Sequence, residues 1–370
     1  MIVTSLLMTV LKHNLAQDSN GTQFPDLAYV QNGHERQKLD LFLPKPFNAG
    51  DKPIPVILWI HGGGWSQGSR KQCLPVREGY LEQGYAIASL GYRLSGDAIH
   101  PAQINDVMAA VVWLKKNATK YGLDRDHFAA WGSSAGGHLA SLLGTFGGRE
   151  VGKDTSRVQA VVSYYGPTDF AAFVKTPGYE RHADASSGES KLVGGPVLEK
   201  AEISKQVSPT THVSKSSPPF LFVHGSADPV VPHNQSELLF DALKRSNVPA
   251  RFHTIEGAGH GGPSFSDKKV LALVDQFLQY RLKGQGTDFP AYEKTASKSE
   301  APANGRGAQP RQPAGRAVPW SQLIERRDTN KDGKISQSEF PGPAALFKRL
   351  DQNGDGFIDK SEYPQNESIV

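Results

Sequence analysis

Ser134 lies at the centre of Gly132-Ser133-Ser134-Ala135-Gly136, a G-x-S-x-G pentapeptide. Residues 128–131 before it read as a strand, and 137–143 after it read as a helix. A serine held between a strand and a helix needs small neighbours, because the backbone turns sharply and the helix packs close. The helix N-terminus also favours negative charge developing near the hydroxyl. A serine hydroxyl is a poor nucleophile alone. It needs a histidine as base, and the histidine needs an acid to set its tautomer. With the serine on such an elbow, the acid and then the histidine follow it along the chain. Asp228 falls just past the apolar run 220–223, and His260 falls in the glycine-rich loop after 250–255. Strand ends of a parallel sheet converge on one edge, which brings both toward the serine. His61, His138, His212, His224, His233 and His253 are rival histidines. His224 precedes Asp228 and breaks the order. His253 sits inside a strand pattern and reads as structural.

His61-Gly62-Gly63-Gly64-Trp65 follows the apolar run 56–60. Glycines there let backbone amides turn toward a tetrahedral oxyanion, where each donor is typically worth about 3–4 kcal/mol in the transition state. The amide of Ala135, the residue after the nucleophile, is the expected partner donor. The loop has neither the G-K-[ST] ending of a nucleotide loop nor a G-x-G-x-x-G fingerprint, so a phosphate cradle is set aside.

A different chemistry appears near the C-terminus. Two twelve-residue stretches, starting at Asp328 and Asp351, place oxygen donors at positions 1, 3, 5, 7, 9 and 12 with glycine at 6. That is the pattern of an EF-hand Ca²⁺ loop. The first would use Asp328, Asn330, Asp332, the carbonyl of Lys334, Ser336 and Glu339. The second would use Asp351, Asn353, Asp355, the carbonyl of Phe357, Asp359 and Glu362. Ile335 and Ile358, at position 8, are expected to meet between paired loops. The first loop has three carboxylate ligands beside Lys331 and Lys334, the second has four, so the second is expected to bind Ca²⁺ more tightly. Pro341 and Pro343 shorten the intervening helix, giving a truncated pair with some similarity to dockerin-type repeats. Trp320, Leu323 and Ile324 suit a short entering helix, and Ala344, Ala345, Phe347 and Leu350 the one between the loops.

These residues need a scaffold. Residues 39–43 alternate like an edge strand, and 56–60 form a continuous apolar run suited to a strand buried on both faces. Further strand candidates are 85–90, 128–131, 160–164, 220–223 and 250–255. Residues 101–121 and 267–282 carry apolar positions at helical spacing. Repeated strand–helix alternation means a mostly parallel sheet with helices on both faces. Residues 167–217 break the rhythm, being polar and rich in Gly, Ser and Pro, and are expected to help form the acyl or alcohol pocket. Residues 284–319 read as a flexible linker, with Arg306, Arg311 and Arg316 making it locally basic. The expected organisation is a signal peptide over 1–17, a catalytic domain over 18–283, that linker, and the EF-hand pair over 320–363. Ile2 to Leu11 is too short an apolar run to span a bilayer and reads as a signal-peptide core. The expected location is therefore secreted or periplasmic.

The composition agrees. The chain has 370 residues, with Lys+Arg 41 against Asp+Glu 37, a net charge of +4. So small a balance argues against a nucleic-acid binder held by bulk charge. Its single cysteine, Cys73, excludes an internal disulfide and a cysteine-based zinc site.

The segments His61-Gly62-Gly63-Gly64-Trp65, Gly91-Tyr92-Arg93-Leu94, Trp131 through His138, Tyr165-Gly166-Pro167-Thr168-Asp169, Pro219 through Asp228, and Gly259-His260 together resemble the α/β-hydrolase superfamily. Within it they are similar to HGGG-bearing carboxylesterases and to secreted bacterial acetyl and feruloyl esterases. The resemblance implies an α/β-hydrolase fold followed by a small helical EF-hand pair. It implies Gly63 and Gly64 as oxyanion donors with Ala135, His61 as a support for its loop, and Arg93 and Asp106 as scaffold residues. The expected activity is ester hydrolysis through an acyl-enzyme, on short-chain or aromatic acyl groups carried by small molecules or plant polysaccharide. A peptidase or amidase of the same fold, and a Ca²⁺-dependent binding protein with an idle hydrolase fold, are the alternatives. Ca²⁺ in the EF-hand pair is expected to be structural, or to tether another protein, and catalysis to need no cofactor.

Overall fold

The computed structural model describes residues 21–298 apart from 47, 49, 148–149 and 152–153. It also describes 17–18 and, further on, 324, 328, 330–337, 339–340, 347, 350–351 and 353–362. The expected signal peptide up to residue 16, linker residues 299–319, and Trp320, Leu323, Ala344 and Ala345 lie outside the described residues. Two compact units divide between Gly307 and Ala308.

In the first unit the strands are β1 (Gln17–Asp18), β2 (Gly21–Ala28), β3 (Lys38–Leu43), β4 (Ile54–Ile60), β5 (Ala86–Leu90) and β6 (Leu123–Ser133). They continue with β7 (Glu150–Val151), β8 (Asp154–Thr155), β9 (Ala160–Tyr164), β10 (Phe220–Gly225), β11 (Ala250–Glu256) and β12 (Glu293–Lys298). The main sheet runs β1-β2-β3-β5-β4-β6-β9-β10-β11-β12, and β7 and β8 form a separate hairpin. From β5 to β12 all neighbours are parallel, while β1, β2 and β3 join antiparallel at one edge. The expected mostly parallel, helix-flanked sheet is thus what the chain forms.

The period-two alternation of β4 shows why its run is wholly apolar. Val56, Leu58 and Ile60 enter the core on one face, beneath the helices Ala102–Lys116 and Ala135–Phe146. Ile57 and Trp59 enter the core on the other, beneath the helix Lys268–Lys283. A strand covered on both sides has no face left for polar residues. Arg93 and the buried Asp106 form a two-pronged pair, with Nη2–Oδ1 at 2.7 Å and Nε–Oδ2 at 2.9 Å, and Gln37 donates to the same carboxylate at 2.6 Å. These contacts tie β3's flank to the helix Ala102–Lys116, a scaffold role.

The stretch expected as linker differs in its first part. Residues 293–298 form β12, in parallel register with β11 from Arg251↔Glu293 to Glu256↔Lys298. Its sequence, EKTASK, has no apolar face to betray a strand. It is held by side-chain hydrogen bonds as well as backbone: Thr295 and Ser297 hydroxyls each lie 2.9 Å from a ring nitrogen of buried His253. Residues 167–217 carry short helices, Phe170–Val174, Gly188–Val193 and Ala201–Val207, rather than strands. Asp169 and Ser187 cap the first two, each accepting at 3.0 Å from the amide three residues on.

In the second unit, β13 (Ile335–Ser336) and β14 (Phe357–Ile358) pair antiparallel, with Ile335 opposite Ile358. Those two isoleucines, with Phe347 and Leu350, form a small buried cluster.

Candidate active site

The strand β6 turns into the helix Ala135–Phe146 at Ser134, whose backbone lies at φ 55°, ψ −123°. A non-glycine residue there is strained and is held only by firm surroundings. The surroundings are tight. A Cβ on Gly132 would stand 2.2 Å from the Gly136 carbonyl oxygen, and one on Gly136 would stand 2.0 Å from that of Ile60. The glycines of the pentapeptide are therefore demanded by close backbone approach.

His260 Nε2 lies 2.8 Å from Ser134 Oγ, and His260 Nδ1 lies 2.7 Å from Asp228 Oδ2. With Nδ1–H donating to the carboxylate, Nε2 is left to accept from the serine hydroxyl. Asp228 Oδ1 accepts from the amides of Val230 at 2.8 Å and Val231 at 3.0 Å. Burial would raise the Asp228 carboxyl. The hydrogen bond from His260 and the nearby His224 ring outweigh it and hold the group well below the usual carboxylate range. The structure therefore brings together Ser134, Asp228 and His260, three residues far apart in the chain.

Rival histidines fall elsewhere, with one exception. His138 is fully buried: Nδ1 accepts from Trp65 Nε1 at 3.0 Å, Nε2 donates to Val207 O at 2.7 Å, and burial pushes it down to about 3. His61 stacks on Tyr92 at 4.4 Å, and burial lowers it to about 4. His212 Nε2 donates to Gln206 O at 2.7 Å, and His233 Nε2 lies 3.0 Å from Thr254 Oγ1. His224 is the exception, because its Nε2 is 3.2 Å from Asp228 Oδ2. Chain order hides that contact. The visible signal is a histidine at a buried strand end, four residues before the acid.

Gly63 and Gly64 take left-handed backbone, φ 114° and 56°. A Cβ on Gly62 would lie 3.3 Å from that of Ser134, so the glycine loop runs beside the nucleophile. Ala135 starts the helix on the other side. Trp65 is 1% exposed and packs against His138 and Phe170, so it serves the core. Tyr165 was not singled out for the site from sequence, yet its ring meets that of His260 edge-on at 4.7 Å.

The 167–217 segment reaches two sides of the site. The Tyr179 hydroxyl donates to the Asp228 carbonyl, and Arg181 Nη2 donates to that of Pro229 at 3.0 Å. A Cβ on Gly188 would lie 3.0 Å from the Gly64 carbonyl oxygen. A neighbouring cavity of about 740 Å³ is lined instead by residues outside that segment, among them Trp59, Lys71, Arg77, Ser133, Tyr165 and Phe265.

In the second unit, carboxylate oxygens of Asp351, Asp355 and Glu362 lie within 4.8 Å of one another. Asp351 Oδ2 accepts from Gly356 N at 3.0 Å, and Asp328 Oδ2 from Gly333 N at 2.9 Å, the same turn in both loops. In the first loop, Glu339 Oε2 accepts from the Ser336 hydroxyl at 2.7 Å. Asn330, Asp332 and Lys334 curl in the first loop as Asn353, Asp355 and Phe357 do in the second, the amides at 334 and 357 donating at 2.9 Å to Asp332 and Asp355. Asp359 Oδ1 accepts from Ser361 N at 2.7 Å. Such an all-oxygen donor set suits a hard divalent cation of Ca²⁺ size.

A model of the BD-FAE family matches residues 39–243, and an EF hand model matches 324–340 and 344–363. Esterase LipC of Mycobacterium tuberculosis is 35% identical over 61% of this chain, which spans 57% of LipC. The chain likewise spans 62% of Esterase LipQ of the same organism, at 32% identity. Among solved structures, a truncated carbohydrate esterase from gut microbiota is 30% identical with a TM-score of 0.64, covering 73% of this chain and 99% of its own. The propionate-bound esterase Est2 of Thermogutta terrifontis is 25% identical with a TM-score of 0.57, covering 72% and 97%.

Proposed function

We infer that this chain, which belongs to the BD-FAE family of α/β-hydrolases, is a serine carboxylesterase exported from the cell. The observation that carries the reading is the unbroken line of hydrogen bonds from Ser134 through His260 to Asp228, at 2.8 and 2.7 Å. In that arrangement Ser134 Oγ attacks the ester carbonyl while His260 Nε2 takes its proton. Asp228 holds the imidazole in the required tautomer and balances the imidazolium. Amides of Gly63, Gly64 and Ala135 receive the oxyanion. His260 then gives its proton to the leaving alcohol, and water, activated by the same histidine, releases the acid.

The substrate class we propose is a short-chain or aromatic acyl ester, including acetyl or feruloyl groups on plant polysaccharide. The carbohydrate esterase among the similar structures supports the sugar side of the ester. The 740 Å³ cavity beside Tyr165 has room for a sugar unit of the alcohol. Export rests on the apolar run Ile2 to Leu11 and on Ca²⁺ loops suited to calcium-rich surroundings. Among the described residues no helix is long and apolar enough to cross a membrane. Ca²⁺ in the EF-hand pair would stabilise that unit or tether a partner, and has no role in the ester chemistry.

The test is Ser134→Ala in the full chain with p-nitrophenyl acetate. Turnover is expected to drop at least a thousandfold with the melting temperature kept within a few degrees. Retained turnover in a folded variant removes Ser134 from the mechanism. Acetylated xylan, feruloyl esters and dipeptide amides compared side by side separate esterase from peptidase, and only the esters should react.

A further inference from the structure

We propose that His224 is a positioning residue for the catalytic acid, held against it by a buried polar contact. The inference rests on the esterase reading above. Asp228 is buried with its side chain shut off from solvent, so water cannot complete its hydration. A carboxylate in that state stays ionised and fixed only if the protein fills its acceptor sites. Oδ1 takes two amides, Val230 and Val231. Oδ2 takes His260 Nδ1 at 2.7 Å and has one site left, where His224 Nε2 stands at 3.2 Å.

The tautomer of His224 follows from its neighbours. Its Nε2 faces two acceptors, Asp228 Oδ2 and the Val231 carbonyl at 3.0 Å. A lone pair there would repel both oxygens, so Nε2 carries the proton, donates it to Val231 O and sets the positive end of the N–H beside Asp228 Oδ2. Nδ1 then accepts from the Ser236 hydroxyl at 2.8 Å. The ring is fully buried, so this orientation has no competing water. The chain of contacts runs Ser134, His260, Asp228, His224, Ser236, with Asp228 and His224 joined by the 3.2 Å approach, and its last member sits in the helix Asn234–Arg245. His224 touches no reacting atom. It acts through Asp228, by keeping the carboxylate charged and unable to rotate away from His260.

Side-chain geometry supplies the test. The amide nitrogen of glutamine reaches the place of a histidine Nε2, whereas that of asparagine reaches only the place of Nδ1. His224→Leu and His224→Asn should lower kcat with p-nitrophenyl acetate by about ten- to a hundredfold, the cost of removing one buried polar partner from a charged group. KM should stay within about threefold, because no substrate contact is lost. His224→Gln should recover most of kcat. The low-field proton resonance of the His260–Asp228 bond should broaden or move in the Leu and Asn variants and return in Gln. If Leu does not fold, the Gln–Asn contrast still decides. Equal kcat in Gln and Asn, or a folded Leu variant with wild-type kcat and an unmoved resonance, overturns the proposal. An inactive wild type with the resonance present would instead fault the esterase reading.

Discussion

At the scale of single residues, the site depends on atoms that are missing as much as on those present. Gly136 has no side chain because the Ile60 carbonyl occupies its place, with a would-be Cβ only 2.0 Å away. Backbone cannot give as a flexible side chain can. Gly136→Ala should therefore force the helix Ala135–Phe146 off β4 and carry Ser134 with it. We expect a loss of about 1–3 kcal/mol in stability, and a larger relative loss of kcat, since misplacing a nucleophile by a fraction of an ångström is costly. Thermal melts and p-nitrophenyl acetate kinetics on the same preparation check this. A variant with wild-type kcat would mean that the elbow is softer than its contacts imply. Ser134, Asp228 and His260 were legible in the sequence because their chemistry requires a fixed chain order at strand ends. The contact between His224 and Asp228 was not, because it exists only once residues 228–231 curl and place the acid against the strand end that precedes it. Trp65 shows a related limit of sequence: the same residue type lines pockets and fills cores, and only its burial assigns it to the core.

At the scale of elements, apolar periodicity decides what can be read. β4, β5, β9 and β10 are buried along most of their length, and their runs stand out. β12 does not, because every second residue is exposed and its inward residues are polar, Thr295 and Ser297 meeting His253 and Glu293 meeting Arg251. The EF-hand loops are legible for the opposite reason, since oxygen donors at fixed positions around a glycine form a pattern that packing does not impose. Their strengths should differ. The second loop offers Asp351, Asp355, Asp359 and Glu362, the first Asp328, Asp332 and Glu339. The second also holds Lys334 Nζ of the first, 3.3 Å from Asp355 Oδ2, which an arriving cation must displace. Calorimetry on the full chain should show two events, the tighter abolished by Glu362→Gln and the weaker by Glu339→Gln. Lys334→Gln should tighten the second loop by a few-fold, as expected for removing one exposed competing charge. The reverse pairing of variants and events would refute the charge argument.

At the scale of the whole molecule, one buried sheet edge gathers residues that the chain spreads from His61 to His260, and burial itself becomes a constraint on pH. His61 and His138 are 1% and 0% exposed and neutral, lowered by burial to about 4 and about 3. In the unfolded chain both return to about 6.5. Below that value the unfolded state binds protons that the folded state refuses. Their contribution to stability is therefore complete above about pH 6.5 and declines as pH falls toward about 4 for His61 and about 3 for His138. Each accounts for up to about 1.4 kcal/mol per pH unit in that window. Asp228 and Asp40, whose carboxyls are held low, lose stability in the same direction but further down, below the unfolded carboxylate value. The histidine effect should thus be visible alone between about pH 6.5 and 5. Thermal unfolding of the first unit, followed at fixed saturating Ca²⁺, is expected to shift steadily downward across that interval. His138→Gln can still accept from Trp65 or donate to Val207 but cannot titrate, so its melting temperature should depend less steeply on pH than that of the wild type. A melting temperature that stays level from pH 7 to 5, or a His138→Gln variant with the wild-type slope, would mean that these rings gain protons without opening the core.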